Sequence, residues 1–302
     1  MTATHIPGDA PAISTSIRTA DGLDLRFAML WSKTIKRRGG VHWWPTATPQ
    51  GPALVAFRPT ATDLRVDAWG AGSGWAVDQM PALIGLRDTT VDEFRPHHPV
   101  LRGLADRFGS FRVGATGRWY EAVVTTAIGQ RVVTADAGQS RQRLARHHGD
   151  TSLGGPMGIL PDPETLLTLR DHDFHRAGIE LSRTRVLRVA ARYADRLERL
   201  ADVPGADAVA WMQRLPGIGP WTAGITSAIA GGDPDAVPVG DLHVPGMVTY
   251  AFTGEVGDDD RMLEVLEPFA GHRGRVVRMV KMGGAGPPKH RPRPFRTDIS
   301  RF

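Results

Sequence analysis

Between Ile13 and Trp69 apolar and polar residues alternate in short runs, including SIRTADGLDLRFAML, ALVAFRP and DLRVDAWG. That period of two is the mark of half-buried strands. Turn chemistry breaks the runs at Asp21–Gly22 and at TPQGP, residues 48–52. The pattern predicts a small antiparallel sheet, with a short helix over 75–86 (WAVDQMPALIGL) packed on it. Past EFRPHHP, residues 93–99, the period becomes that of a helix. Residues 117–130 place Trp119, Ala122, Val123, Ala127 and Ile128 on one face. Further helices are predicted over 134–148, 163–169 (opened by Pro163), 182–200 (with Ser182 as N-cap), 206–215, 221–230, 241–252 and 258–270. The fold class read from this is α+β. An N-terminal antiparallel β domain (13–93) packs on an all-helical body (94–286), between a disordered N-terminus (1–12) and a basic, extended tail (287–302).

Composition narrows the chemistry. The absence of cysteine excludes disulfides, thiol nucleophiles, cysteine-ligated zinc and iron–sulfur clusters. No apolar run approaches the roughly 20 residues that span a bilayer. The start, MTATHIPGDAPAIS, lacks the pattern of a secretory signal, so a cytoplasmic protein is expected. Lys and Arg number 37 against 32 Asp and Glu, a net charge of +5 that suits a polyanionic partner without requiring one. The histidines are scattered rather than clustered as ligands.

The most informative segment is LPGIGPWTA, residues 215–223 within 207–230. Pro216 and Gly217 suit a tight turn, Gly219 a second unusual backbone angle, and Pro220 the first position of a new helix. Ile218 would plug the turn into the core, leaving N–H groups from Ile218 to Trp221 facing outward as an anion site. Leu215, Pro216, Gly217, Ile218, Gly219, Pro220 and Thr222 thus form a candidate DNA-binding hairpin. An ordinary helix corner is the bland alternative. Farther on, GGDPDAVPVGDLHV places Asp241 after a Gly- and Pro-rich loop, as a catalytic carboxylate, an N-cap, or both. Asp233 and Asp235 read as turn-forming or solvated, and His243 as structural.

The string LPGIGPWTA, with G-D-L-H-V behind it, resembles the helix-hairpin-helix DNA glycosylase superfamily that includes endonuclease III and DNA-3-methyladenine glycosylase II. The actinobacterial relatives of the latter are the nearest likeness. The resemblance implies a glycosylase that flips a damaged base out of double-stranded DNA and excises it, with Asp241 catalytic. It also implies that no cofactor is required. A structural sodium or potassium ion would sit on the carbonyls of Gln213, Leu215 and Gly217. Bifunctional members carry a Schiff-base lysine where this chain has Trp221, which implies simple hydrolysis to an abasic site. Trp221 and Ile225 would then line the base pocket, the alternative for Trp221 being a core residue. The stretch AIGQRVV, residues 127–133, resembles the family's wedge loop. It makes Arg131, with Gln130 beside it, the group that fills the gap left by flipping, or else a solvated junction residue. His175–Gly178 with Arg183 and Arg185 resembles a surface near DNA. The expectation is a monomeric, nucleoid-associated enzyme for alkylated purines. Deaminated purines as substrate, or a catalytically inactive DNA-binding protein, are the alternatives.

Overall fold

The computed structural model describes residues 10–19, 23–107 and 110–288. The Asp21–Gly22 turn and most of both predicted terminal segments lie outside them. Five strands, β1 (Ile13–Arg18), β2 (Lys36–Arg38), β3 (Val41–Thr48), β4 (Gly51–Pro59) and β5 (Asp63–Trp69), form one antiparallel sheet in the order β1-β5-β4-β3-β2. Alternation is clean in β5, where Leu64, Val66 and Ala68 are buried and Arg65 is exposed. It fails in β4 because both faces are covered. Val55 and Phe57 pack with Ala76, Met80 and Leu83 of helix α2 (Ser73–Leu83), and Leu54 and Ala56 pack with Trp43. The sequence pattern did not mark β3 as a strand, since Pro45 interrupts it. Strand β2 spans only three residues, so Pro45 lies beyond it at a free sheet edge, where a missing N–H costs nothing. The TPQGP turn joins β3 to β4 through Pro49 and Gln50, with Thr48 opposite Gly51.

The body holds α3 (Pro99–Ala105), α4 (Trp119–Ile128), α5 (Thr134–His148), α6 (Pro163–Thr168), α7 (Asp171–Arg176), α8 (Leu181–Arg192), α9 (Ala194–Glu198), α10 (Gly205–Met212), α11 (Pro220–Thr226), α12 (Val244–Thr253), α13 (Asp259–Leu266) and α14 (Arg273–Gly283). A short α1 (Leu25–Ala28) precedes β2. Two expectations change. The helix over 182–200 is broken at Tyr193, whose φ of −108° and ψ of 15° leave the helical region. Its N-cap is Glu180, not Ser182. The turn that ends α7 closes with the Gly178 and Ile179 N–H groups on His175 and Phe174, so the next helix begins a residue or two early.

Helix α14 was not predicted from periodicity, because two of its arginines face inward. Arg275 and Arg278 are 0% and 1% exposed. Arg275 pairs with Asp88 at 2.8 Å. Arg278 has no acid partner among the described residues and donates to the carbonyls of Phe27, Ala28 and Ala228 at 3.2, 3.4 and 2.9 Å. Through Arg278 the segment around α1 is fastened to the helical body.

A buried bond between Thr46 Oγ1 and Glu121 Oε2, 2.8 Å long, joins sheet to body. Burial pushes Glu121 up to about 7, from an ordinary value of 4.5. The native state therefore holds a proton that the unfolded chain releases, and stability falls as pH rises from about 4.5 to 7. Glu121→Gln is expected to flatten the pH dependence of the melting temperature across that window. It should gain on the order of 3 kcal/mol relative to the wild type above it. A variant that keeps the wild-type slope would disprove this.

Candidate active site

Helix α10 ends at Met212, and Leu215 and Ile218 anchor the following hairpin in the core. Gly217 has a φ of +82°, and a Cβ there would lie 2.5 Å from Val186 Cγ2, so only glycine fits. Gly219 differs from expectation. Its φ of −88° and ψ of −176° are ordinary extended backbone, and it serves as the N-cap of α11 with open space around it. The Ile218 N–H is not free either, since it closes the turn onto the Leu215 carbonyl at 3.1 Å. The N–H groups with no intrahelical partner are those of Gly219, Trp221 and Thr222, at the start of α11 where Pro220 has none.

Helix α11 runs into a π turn, Ser227–Gly231, and then into the Gly- and Pro-rich loop. Asp233 bonds Ser227 Oγ at 2.9 Å, and Asp235 pairs with Arg273, so both acids hold this loop rather than sit in solvent. Gly240, at a φ of +88°, donates its N–H to Asp259 at 2.9 Å. Asp241 follows, half-buried and held by three donors. Its Oδ1 accepts the N–H groups of His243 (2.9 Å) and Val244 (3.1 Å), and its Oδ2 accepts the indole N–H of Trp221 (2.9 Å). Helix α12 therefore begins at Val244 rather than 241, because the carboxylate spends itself on that turn's free N–H groups. Leu242, next to it, is 83% exposed.

Trp221 connects the carboxylate to the predicted wedge loop. A Cβ added at Gly129 would sit 3.9 Å from Trp221 Cη2, so the indole lies against the end of α4. The adjacent Gln130 donates through Nε2 to the Gly217 carbonyl (3.1 Å) and to Thr222 Oγ1 (2.8 Å). Arg131 is exposed and has a φ of +56°, unique among the non-glycine residues described. Such a backbone costs about 1–3 kcal/mol and clusters at functional turns. Arg183, expected near DNA, is instead 4% exposed and braces this turn from inside, donating to Ile128 and Gly178 carbonyls at 2.9 and 3.2 Å. Ile225 is 8% exposed and packs in the main core, while Thr222 is buried under Gln130.

Among the described residues no cluster of His, Cys, Asp or Glu could hold a metal ion. For a monovalent cation, the Leu215 carbonyl already accepts from Ile218 and the Gly217 carbonyl from Gln130, leaving each one lone pair.

Sequence patterning gave Trp31 and Lys281 no role. The Lys281 ammonium lies 4.2 Å above the Trp31 ring. Burial lowers its pKa, and the charge of Asp241 opposes that shift. Recognition of α14 as a helix would have been the one signal for Lys281.

The architecture is that of structures solved for DNA glycosylases. A 3-methyladenine DNA glycosylase from Archaeoglobus fulgidus superposes with a TM-score of 0.74 at 19% identity, over 90% of this chain and 98% of that one. A structure described as MBOgg1 in complex with a low-affinity DNA ligand gives 0.73 at 15%, over 94% and 100%. The Clostridium acetobutylicum 8-oxoguanine glycosylase/lyase bound to DNA gives 0.72 at 14%, over 90% and 95%. At these identities the likeness is one of fold. The sequence matches no protein-family model and no curated protein.

Proposed function

We propose that the chain is a monofunctional DNA glycosylase of base excision repair that flips a damaged purine out of double-stranded DNA and hydrolyses its glycosidic bond. The observation that carries this reading is the Trp221 indole bonded to Asp241 Oδ2, with the hairpin and the Gln130–Arg131 turn beside it. The N–H groups opening α11 suit a backbone phosphate, which grips DNA without reading sequence. Arg131, at the strained turn, would enter the stack as the nucleotide leaves.

Cleavage breaks the bond from C1′ to the base nitrogen, and the electron pair departs with the base. Positive charge builds on the sugar, and the fixed Asp241 carboxylate stabilises it. A water oxygen then bonds to C1′ and gives up a proton, which Asp241 can accept. The products are a free base and an abasic site. Trp221 both orients the carboxylate and offers a ring face to an electron-poor base such as an alkylated purine. A sodium or potassium ion on Gln213, Leu215 and Gly217 would serve structure only, and no step passes through it. The protein would act as a monomer on DNA in the cytoplasm, at the nucleoid. No helix of the described residues is long and apolar enough to cross a membrane.

Duplex DNA carrying a damaged purine tests this reading. Free base should appear, with strand breaks only after alkali, and borohydride should not trap protein on DNA. Trapping, or strand breaks without alkali, would overturn the hydrolytic route.

A further inference from the structure

We infer that Leu242 packs on the deoxyribose of the extruded nucleotide and keeps water from the place where Asp241 meets that sugar. The inference rests on Asp241 being the catalytic carboxylate. It concerns what makes that carboxylate effective.

An apolar residue just ahead of a helix N-cap ordinarily folds back onto the helix. Leu242 precedes His243, the N-cap of α12, and the residue it would fold onto is Met247, the fourth of the helix. That contact would bury the leucine. Leu242 is instead 83% exposed, the most exposed large apolar side chain among the described residues, with Val256 next at 65%. It therefore does not staple the start of α12. The backbone beneath it is pinned on both sides. The Gly240 N–H is held by Asp259 at 2.9 Å and the Asp241 N–H by the Pro238 carbonyl at 3.1 Å. Beyond Leu242, the Asp241 carboxylate accepts the N–H groups of His243 and Val244, and Val244 is buried. Leu242 thus stands at the tip of a turn that the carboxylate itself closes. Folding has no use for an apolar side chain held out to water there.

The substrate supplies the use. To act on the sugar, an Asp241 oxygen must come within about 3–3.5 Å of C1′. Successive Cα atoms are only about 3.8 Å apart, so a strand seated on Asp241 passes within reach of the Leu242 side chain. Leucine offers nothing to a phosphate, whose oxygens keep their water or meet donors. The C–H face of a deoxyribose is its natural contact. Covering that face removes water beside the carboxylate, and opposite charges attract more strongly where water is excluded. The gain falls on the state in which the sugar is cationic.

The test measures dissociation constants for two duplexes, one with a pyrrolidine and one with a tetrahydrofuran at the target sugar. Only the first is cationic at neutral pH. It uses the full-length wild type, Leu242→Ser and Leu242→Met. The wild type should prefer the pyrrolidine. Leu242→Ser should bind both duplexes more weakly and lose at least threefold of that preference, while its melting temperature stays at the wild-type value. Leu242→Met, which keeps an apolar cover, should retain the preference. A merely structural leucine would lower the melting temperature and leave the ratio of the two constants unmoved. If Leu242→Ser keeps the wild-type preference, or melts lower, the inference is overturned and Asp241 keeps its role. A wild type with no preference overturns both.

Discussion

Asp241→Asn is expected to abolish base release, lowering the single-turnover rate by about a thousandfold or more, while duplex binding stays within a few-fold of the wild type. The substitution keeps size and shape. Its amide oxygen can still accept the N–H groups of His243 and Val244, so the start of α12 survives. The amide nitrogen then faces the Trp221 indole N–H, donor against donor, and that bond is lost. The local cost is about 1–3 kcal/mol, which a folded chain of this size tolerates. The charge that offsets the developing cation on the sugar is gone. Base release measured by chromatography, with binding measured by fluorescence anisotropy, separates the two effects. Full activity in Asp241→Asn would remove the carboxylate from the mechanism.

The two hairpin glycines should respond differently. Gly217→Val combines a φ of +82° with a Cβ driven to 2.5 Å from Val186, so the hairpin must shift. Backbone strain and overpacking together should cost roughly 2–6 kcal/mol, visible as a lower melting temperature, and DNA affinity should fall at least tenfold on any sequence. At Gly219 a Cβ meets nothing within 4 Å, and the backbone is one that any residue adopts. Gly219→Val should therefore leave the melting temperature unchanged and still weaken DNA binding, since its side chain stands where a phosphate approaches the start of α11. Unchanged affinity in Gly219→Val would show that the hairpin does not grip DNA.

Much of this arrangement was legible in the chain because local chemistry dictates it. Val66 and Ala68 alternate with polar neighbours, and α5 was placed at Thr134–His148 because its apolar positions and its flanks agree. The Pro–Gly hairpin could be placed from turn residues, and Asp241 from the resemblance of G-D-L-H-V behind it to the glycosylase motif. What could not be read depends on contacts distant in sequence. Helix α14 hides Arg275 and Arg278, which are tolerated inside only because Asp88 and the carbonyls of Phe27, Ala28 and Ala228 meet them. Arg183 reads as a surface cation and is a buried brace for the same kind of reason. The indole bond from Trp221 to Asp241 spans two elements, and nothing in the spacing announces it. Gly219 was over-read. A glycine next to Pro220 suggested a strained angle where the chain is merely extended.

The most direct measurement is a ratio of dissociation constants for two duplexes that differ in one ring. One carries a pyrrolidine, cationic where the sugar becomes cationic during cleavage, and the other a neutral tetrahydrofuran. If Asp241 stabilises that charge, the pyrrolidine duplex binds the wild type at least tenfold tighter, and Asp241→Asn erases the difference. Equal affinities in the wild type, or a preference that survives in Asp241→Asn, would contradict the account.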